Sequence, residues 1–222
     1  MDILRQHEIF EIEVLDKLKN KRVLEPLVFC GGTMLRLCYE LNRYSSDLDF
    51  WFVKKVNTKT FSVKVKRVLA ESYELTDACD KFNTLLFEVR SSSAPKRLKI
   101  EIRKGVKNID WQDTIAYSKY TATQVLLRAL TLKQAMKNKL EAGLDRKDIR
   151  DFFDMEFLLR QGLALRARPG ELSELKKIAE DFKEKDFKVI LGSVLEEKTR
   201  KYYISNKFDY LMRKISAQET MR

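Results

Sequence analysis

Phe29-Cys30-Gly31-Gly32-Thr33-Met34-Leu35-Arg36, followed closely by Arg43-Tyr44-Ser45-Ser46-Asp47-Leu48-Asp49-Phe50, is the stretch on which the reading of this chain turns. Residues 47–53 alternate charge with apolar bulk, which predicts a strand. Residues two apart on a strand share a face, so Asp47 and Asp49 point one way. Leu48, Phe50 and Phe52 point the other way, into a core. Two carboxylates side by side repel unless a cation lies between them. Mg2+ takes hard oxygen ligands and is often held by one or two carboxylates plus substrate phosphates. Asp47 and Asp49 are therefore candidate metal ligands.

The glycine pair supplies the other half of the motif. Glycine lets a backbone approach a ligand closely. A helix over Thr33–Leu41 would aim its free N–H groups and positive dipole end at a phosphate. The Thr33 hydroxyl adds a donor. Gly31, Gly32 and Thr33 are accordingly candidate nucleotide-binding residues. No GxxxxGK[ST] occurs, so this is not a P-loop.

A third carboxylate lies further on. Leu98-Lys99-Ile100-Glu101-Ile102-Arg103 alternates, which puts Lys99, Glu101 and Arg103 on one face. If this strand neighbours that of Asp47, Glu101 completes a triad able to hold two metal ions for phosphoryl transfer. The plainer alternative is a solvated face on which Glu101 pairs with Lys99 or Arg103.

Later comes Lys139-Leu140-Glu141-Ala142-Gly143-Leu144-Asp145-Arg146-Lys147-Asp148-Ile149-Arg150-Asp151-Phe152-Phe153-Asp154. On one continuous helix Lys139, Arg146 and Arg150 form a narrow basic stripe suited to a triphosphate. Gly143 and Asp145 threaten that continuity, with Asp148 placed to cap a second helix. A solvated charged face is the alternative. Phe152, Phe153, Met155, Phe157 and Leu158 read as core.

Around these motifs the composition is that of a globular protein, with 222 residues, 44% hydrophobic. A net charge of +11 points to an anionic partner such as nucleic acid. Cys30, Cys38 and Cys79 form no CxxC pair and suit a reducing compartment. His7 is the single histidine, so Cys/His zinc sites and histidine-based acyl-transfer triads are hard to assemble. No apolar run approaches the ~20 residues that span a bilayer, and the first residues do not resemble a secretory signal. The expectation is a cytoplasmic protein with no membrane partner.

Helices are expected over residues 2–20 and 59–75, and strands over 84–90 and 97–103. Strand signals stop near Ala122. The expected organisation is an α+β chain, with an α/β domain over residues 1–120 and a helical domain over 121–222. The tail, 182–222, reads as charged and helical.

These motifs resemble the AbiEii/AbiGii nucleotidyltransferase toxins of the DNA polymerase beta-like superfamily. The pattern there is a Gly-Gly-Thr helix start, then Arg-x-Ser-x-Asp-hydrophobic-Asp-Phe, matched here by residues 31–33 and 43–50. A later Lys-Leu-x-Ala, Arg and Arg-Asp-aromatic-x-Asp match Lys139–Ala142, Arg146 and Arg150–Asp154. The similarity spans roughly residues 25–160.

The resemblance implies a polymerase-beta-like mixed sheet followed by a helical bundle. It implies transfer of a nucleoside monophosphate from an NTP, with two Mg2+ ions held by Asp47, Asp49 and Glu101. Ser45, Lys139 and Arg146 would contact nucleotide, with Lys139 and Asp151 supporting catalysis from the helical half. RNA, especially tRNA, is the expected acceptor given the charge, and a cognate antitoxin the expected partner. Two other readings stay open: nucleotidylation of a protein hydroxyl, and a non-catalytic nucleic-acid-binding module on the same fold.

Overall fold

The computed structural model describes residues 2–220; residues 221–222 of the expected helical tail lie outside them. Its α/β part runs α1 (Asp2–Asn20), β1 (Leu27–Cys30), α2 (Gly31–Tyr39), β2 (Asp47–Phe52), α3 (Thr58–Ala70), β3 (Glu74–Asp80), β4 (Thr84–Arg90), β5 (Leu98–Val106), β6 (Trp111–Tyr117) and β7 (Gln124–Leu130). The helical part runs α4 (Leu132–Arg146), α5 (Ile149–Arg160), α6 (Pro169–Asp181), α7 (Glu197–Asn206) and α8 (Asp209–Thr220). A π-helical stretch, Asp186–Leu191, and a 3-10 turn, Gly192–Val194, lie between α6 and α7. No described helix is long and apolar enough to cross a membrane.

Two compact units result. One holds the sheet and extends through Glu40 and over Tyr44–Thr131; the other holds Leu41–Arg43 and everything from Leu132. In the first, the seven strands order as β3-β4-β5-β2-β1-β7-β6. β2 runs parallel to β5 and β1 parallel to β7, while the other neighbours are antiparallel, so the sheet is mixed. Its core face carries Leu48, Phe50 and Phe52, all 2% exposed or less. Phe50 stacks on Phe29 of β1, and Phe52 meets the edge of Phe61 from α3. Asn57 caps α3 by accepting from the Thr60 N–H, which fixes where that helix starts.

Three sequence expectations change. The helix expected over 59–75 ends at Ala70, and β3 follows it. β3 is acidic and largely exposed, an edge strand held by its pairing with β4 rather than by propensity. Strand structure also continues past Ala122. Gln124-Val-Leu-Leu-Arg-Ala-Leu130 is rich in helix formers, yet Val125, Leu127 and Ala129 alternate into the core and β6 pairs along its whole length. Sheet pairing overrides local preference there, and the helical unit begins at Leu132. Finally, α4 runs through Gly143 and ends at Arg146; Lys147 turns to φ 54 and Asp148 caps α5 through the Arg150 N–H. Lys139, Arg146 and Arg150 therefore do not form one stripe, because Arg150 stands on the next helix.

The helical unit has an aromatic core. Phe152 contacts Phe182 and Phe208, and Phe153 contacts Tyr203. Glu156, fully buried, accepts from the Tyr203 hydroxyl and the Leu211 N–H and binds Arg160. Met155 and Leu158 are buried as well, so this run packs as core.

Candidate active site

In the sheet unit, β2 places Asp47 and Asp49 on the face opposite Leu48 and Phe50. The parallel partner β5 aligns Asp47 with Lys99 and Asp49 with Glu101. The strand neighbourhood on which Glu101 depended thus exists, and three carboxylates share one sheet face. Lys99 lies among them, its Nζ 3.0 Å from Glu101 and 3.6 Å from Asp47. Burial lowers the affinity of that amine for its proton, but the Glu101 and Asp47 carboxylates outweigh this and hold it raised. The pairing of Glu101 with Lys99 is the plainer alternative read from the sequence, and what that reading did not include is the second contact of Lys99, to Asp47.

The donor set is three carboxylates on adjacent strands, the oxygen chemistry that Mg2+ accepts. Among the described residues no three acidic, histidine or cysteine groups already form a cation cage. The Lys99 ammonium compensates part of the charge instead.

The glycine turn abuts this row. α2 starts at Gly31, two residues earlier than expected, after an extended Cys30 that offers no side-chain cap. The first turn of α2 therefore receives no cap from the residue that precedes it. Gly31 adopts φ +81, which favours glycine, and a Cβ there would stand 3.1 Å from the Cβ of Asp49. Gly32 and Thr33 are buried, and Thr33 Oγ1 has no hydrogen-bond partner among the described residues. Ser45 is half-buried in the segment leading into β2.

Behind that segment stands a buried polar cluster the sequence did not disclose. His7 Nε2 lies 3.1 Å from the Ser46 carbonyl, so that nitrogen carries the proton and donates. Glu11 is 3.6 Å from the same nitrogen, and both side chains are 1% exposed. Burial drives the Glu11 carboxyl well above its ordinary range, with Glu8 and Asp47 adding and Arg36 opposing. Burial also lowers His7, more than its bond to Ser46 raises it. Both shifts favour the neutral forms, so burial works against an ion pair at this contact. Glu8 accepts from Arg36 at 2.9 Å and from Ser118 at 2.6 Å. The only sequence trace of this cluster is polar residues on an otherwise apolar helix face.

The helical unit gathers a second charged group. Arg43 grips Asp154 with two bonds, Nε to Oδ1 at 2.6 Å and the second at 2.7 Å. Lys139 reaches Asp154 at 2.6 Å and Asp151 at 2.9 Å. Arg146 binds the other oxygen of Asp151 at 2.7 Å, with its own side chain 57% exposed. Lys139, Arg146 and Asp151, named from sequence, thus come together with Arg43 and Asp154. Lys139 is 9% exposed, so it is not a solvated surface lysine. Burial works against its charge, but Asp154 and Asp151 hold its pKa raised. Burial likewise works against ionised Asp154, and Arg43 and Lys139 more than offset it.

The sequence model described as nucleotidyl transferase AbiEii toxin, type IV toxin–antitoxin system, matches residues 13–211. Among solved structures, JHP933 from Helicobacter pylori superposes with a TM-score of 0.58 at 21% identity, covering 96% of this chain and 95% of that one. MenT4, a nucleotidyltransferase toxin from Mycobacterium tuberculosis H37Rv, gives 0.48 at 14% identity, covering 92% of this chain and 85% of that one. The first of these likenesses bears on the fold alone, and the second is too distant to carry an argument. No curated protein matches.

Proposed function

As the chain belongs to the family of AbiEii nucleotidyl transferase toxins, we propose that it moves a nucleoside monophosphate from an NTP to a hydroxyl of an RNA acceptor, tRNA in the first instance. The observation that carries this reading is the registration of Asp47, Asp49 and Glu101 on one sheet face beside the uncapped start of α2. A carboxylate row next to a helix N-terminus suits a triphosphate and its counter-cations.

Asp47, Asp49 and Glu101 would hold Mg2+, two ions in the full assembly. When bound, Mg2+ supplies charge stabilisation to the reacting phosphate oxygens. The α2 N–H groups at Gly31 and Gly32, the Thr33 hydroxyl and Ser45 bind phosphate. The acceptor oxygen attacks the α-phosphorus, the bond from that phosphorus to the bridging oxygen breaks, and pyrophosphate leaves. Glu101 receives the proton from the acceptor hydroxyl. From the helical unit, Lys139 offsets triphosphate charge. Within that unit Asp151 holds Lys139 and the exposed Arg146 guanidinium together, as one carboxylate bonded to two cations can do.

The net charge of +11 favours RNA over a protein acceptor. A family of toxins makes a cognate antitoxin protein the expected partner. Incubation with total RNA, Mg2+ and each labelled NTP tests the reading. Label in an RNA band supports it, and label in protein identifies nucleotidylation of a protein hydroxyl instead. Label in neither, with RNA still bound, leaves the non-catalytic binding module.

A further inference from the structure

The carboxylate face does not stop at Asp49. The same alternation that exposes Asp47 and Asp49 on β2 brings Trp51 to that face next, while β5 contributes Lys99, Glu101 and then Arg103. Trp51 and Arg103 are register partners across the two strands. The indole stands two residues beyond Asp49, about 6.6 Å along the strand. Cations flank its ring: Lys107 Nζ is 4.4 Å from the centroid and Arg103 Cζ 5.9 Å. Lys54 and Lys55 follow β2 after Val53, and both are exposed. The β3–β4 turn, tied on by the bond from the Lys104 N–H to the Asn83 carbonyl, adds exposed Lys81 and Phe82, the latter 94% exposed. Asp80 is the acid here, and it is paired with Lys104.

We propose that Trp51, flanked by Arg103 and Lys107, is a base-stacking platform for the single-stranded end of the RNA acceptor, feeding that end to the carboxylates one row away. This rests on the nucleotidyl-transfer reading and names where its acceptor lies. An indole takes any base on its face, and stacking is tolerant of sequence. Lysines and arginines ringing an aromatic track a phosphate backbone, the chemistry of single-strand grooves. Lys107 lies over the ring as a base would; on binding it trades the ring for a phosphate, and the base takes its place. Duplex RNA offers no free base face, so the platform selects an unpaired end.

The chain has two tryptophans, so Trp111→Phe leaves Trp51 as the sole indole. In that full-length background, a single-stranded RNA 12-mer with a free 3′ hydroxyl quenches the indole fluorescence on titration. In the otherwise wild-type chain Trp51→Ala weakens affinity for the same oligonucleotide, read by anisotropy, roughly ten- to a hundredfold. It raises KM for RNA with kcat and NTP affinity little changed, and Trp51→Phe restores most of the loss. Arg103→Ala with Lys107→Ala lowers the salt slope of binding. An unquenched indole with Trp51→Ala affinity within twofold of wild type overturns the platform, and so does undiminished transfer to RNA by Trp51→Ala, which leaves the transfer reading standing. Quenching by RNA without transfer to any RNA upholds the platform and removes the transfer reading.

Discussion

Gly31 faces the Asp49 carboxylate so closely that no side chain fits between them: a Cβ at residue 31 would run into Asp49 Oδ2 and stand 3.1 Å from Asp49 Cβ. The glycine therefore serves the placement of Asp49 as well as the turn into α2. Gly31→Ala meets two penalties. A non-glycine residue at φ +81 costs about 1–3 kcal/mol, and the methyl displaces Asp49. Thermal melts should show that loss of stability, and turnover should fall at least a hundredfold, about 2.7 kcal/mol in barrier. Wild-type turnover in this variant would mean that Asp49 is not needed where it stands.

Asp49→Asn separates charge from shape. The amide keeps the contact with Gly31 and removes one negative charge from a row that also holds Asp47 and Glu101. Relief of like-charge repulsion leaves stability unchanged or slightly higher. Nucleotide transfer should be abolished, since a neutral amide is a poor ligand for a hard cation. Retained activity with a wild-type melting curve counts against the metal assignment.

Much of this site was legible because its signals are local. The period of two over residues 47–53 fixes which side chains share a face, and no tertiary contact reverses it. Glu101 was conditional on strand order, a non-local property supplied only by the parallel pairing of β2 with β5. β7 was missed because Leu126, Leu127, Arg128, Ala129 and Leu130 favour helix until β1 and β6 pair with them. Asp154 was seen only as a motif position. Its bidentate partner Arg43 is remote in sequence, and no spacing rule links them.

Acceptor binding should weaken steeply with salt. A protein neutralising several phosphates releases counterions, with a slope of about −0.7 per phosphate for single strands. Affinity for the RNA substrate, measured from 50 to 200 mM salt (roughly the range over which such losses are large), should drop by at least tenfold. A flat profile points to a protein or small-molecule acceptor.

Glu11 makes stability depend on pH. Its folded pKa lies well above the ordinary 4.5, because burial penalises the carboxylate. The contribution of a raised group is fully present below its unfolded pKa and is lost as pH rises toward the folded value. Glu11→Gln keeps the shape and cannot ionise. Its melting temperature should match wild type at pH 4.5 and exceed it at pH 8, the gap widening between. A variant less stable than wild type at pH 8 would show instead that Glu11 is charged and paired with His7.

Lys139 carries the last expectation, and the structure has changed its form. As a solvated lysine or as a pure phosphate contact, it would be removable without effect on melting. It is instead the shared cation of Asp151 and Asp154, at 2.9 and 2.6 Å. Lys139→Ala leaves both buried carboxylates short of charge, although Arg43 still holds Asp154 and Arg146 still holds Asp151. The loss of stability should be on the order of 3 kcal/mol, so the melting temperature falls. Activity must therefore be read well below that melting point. If Lys139 also offsets charge on the transferring phosphate, turnover of the folded variant drops by about a hundredfold or more. Arg146→Ala provides the contrast. Its guanidinium is exposed and its ion pair with Asp151 is half solvated, so stability changes by less than about 1 kcal/mol, while KM for NTP rises. Near-normal turnover by folded Lys139→Ala would confine Lys139 to holding Asp151 and Asp154, and leave Arg146 as the phosphate contact of the helical unit.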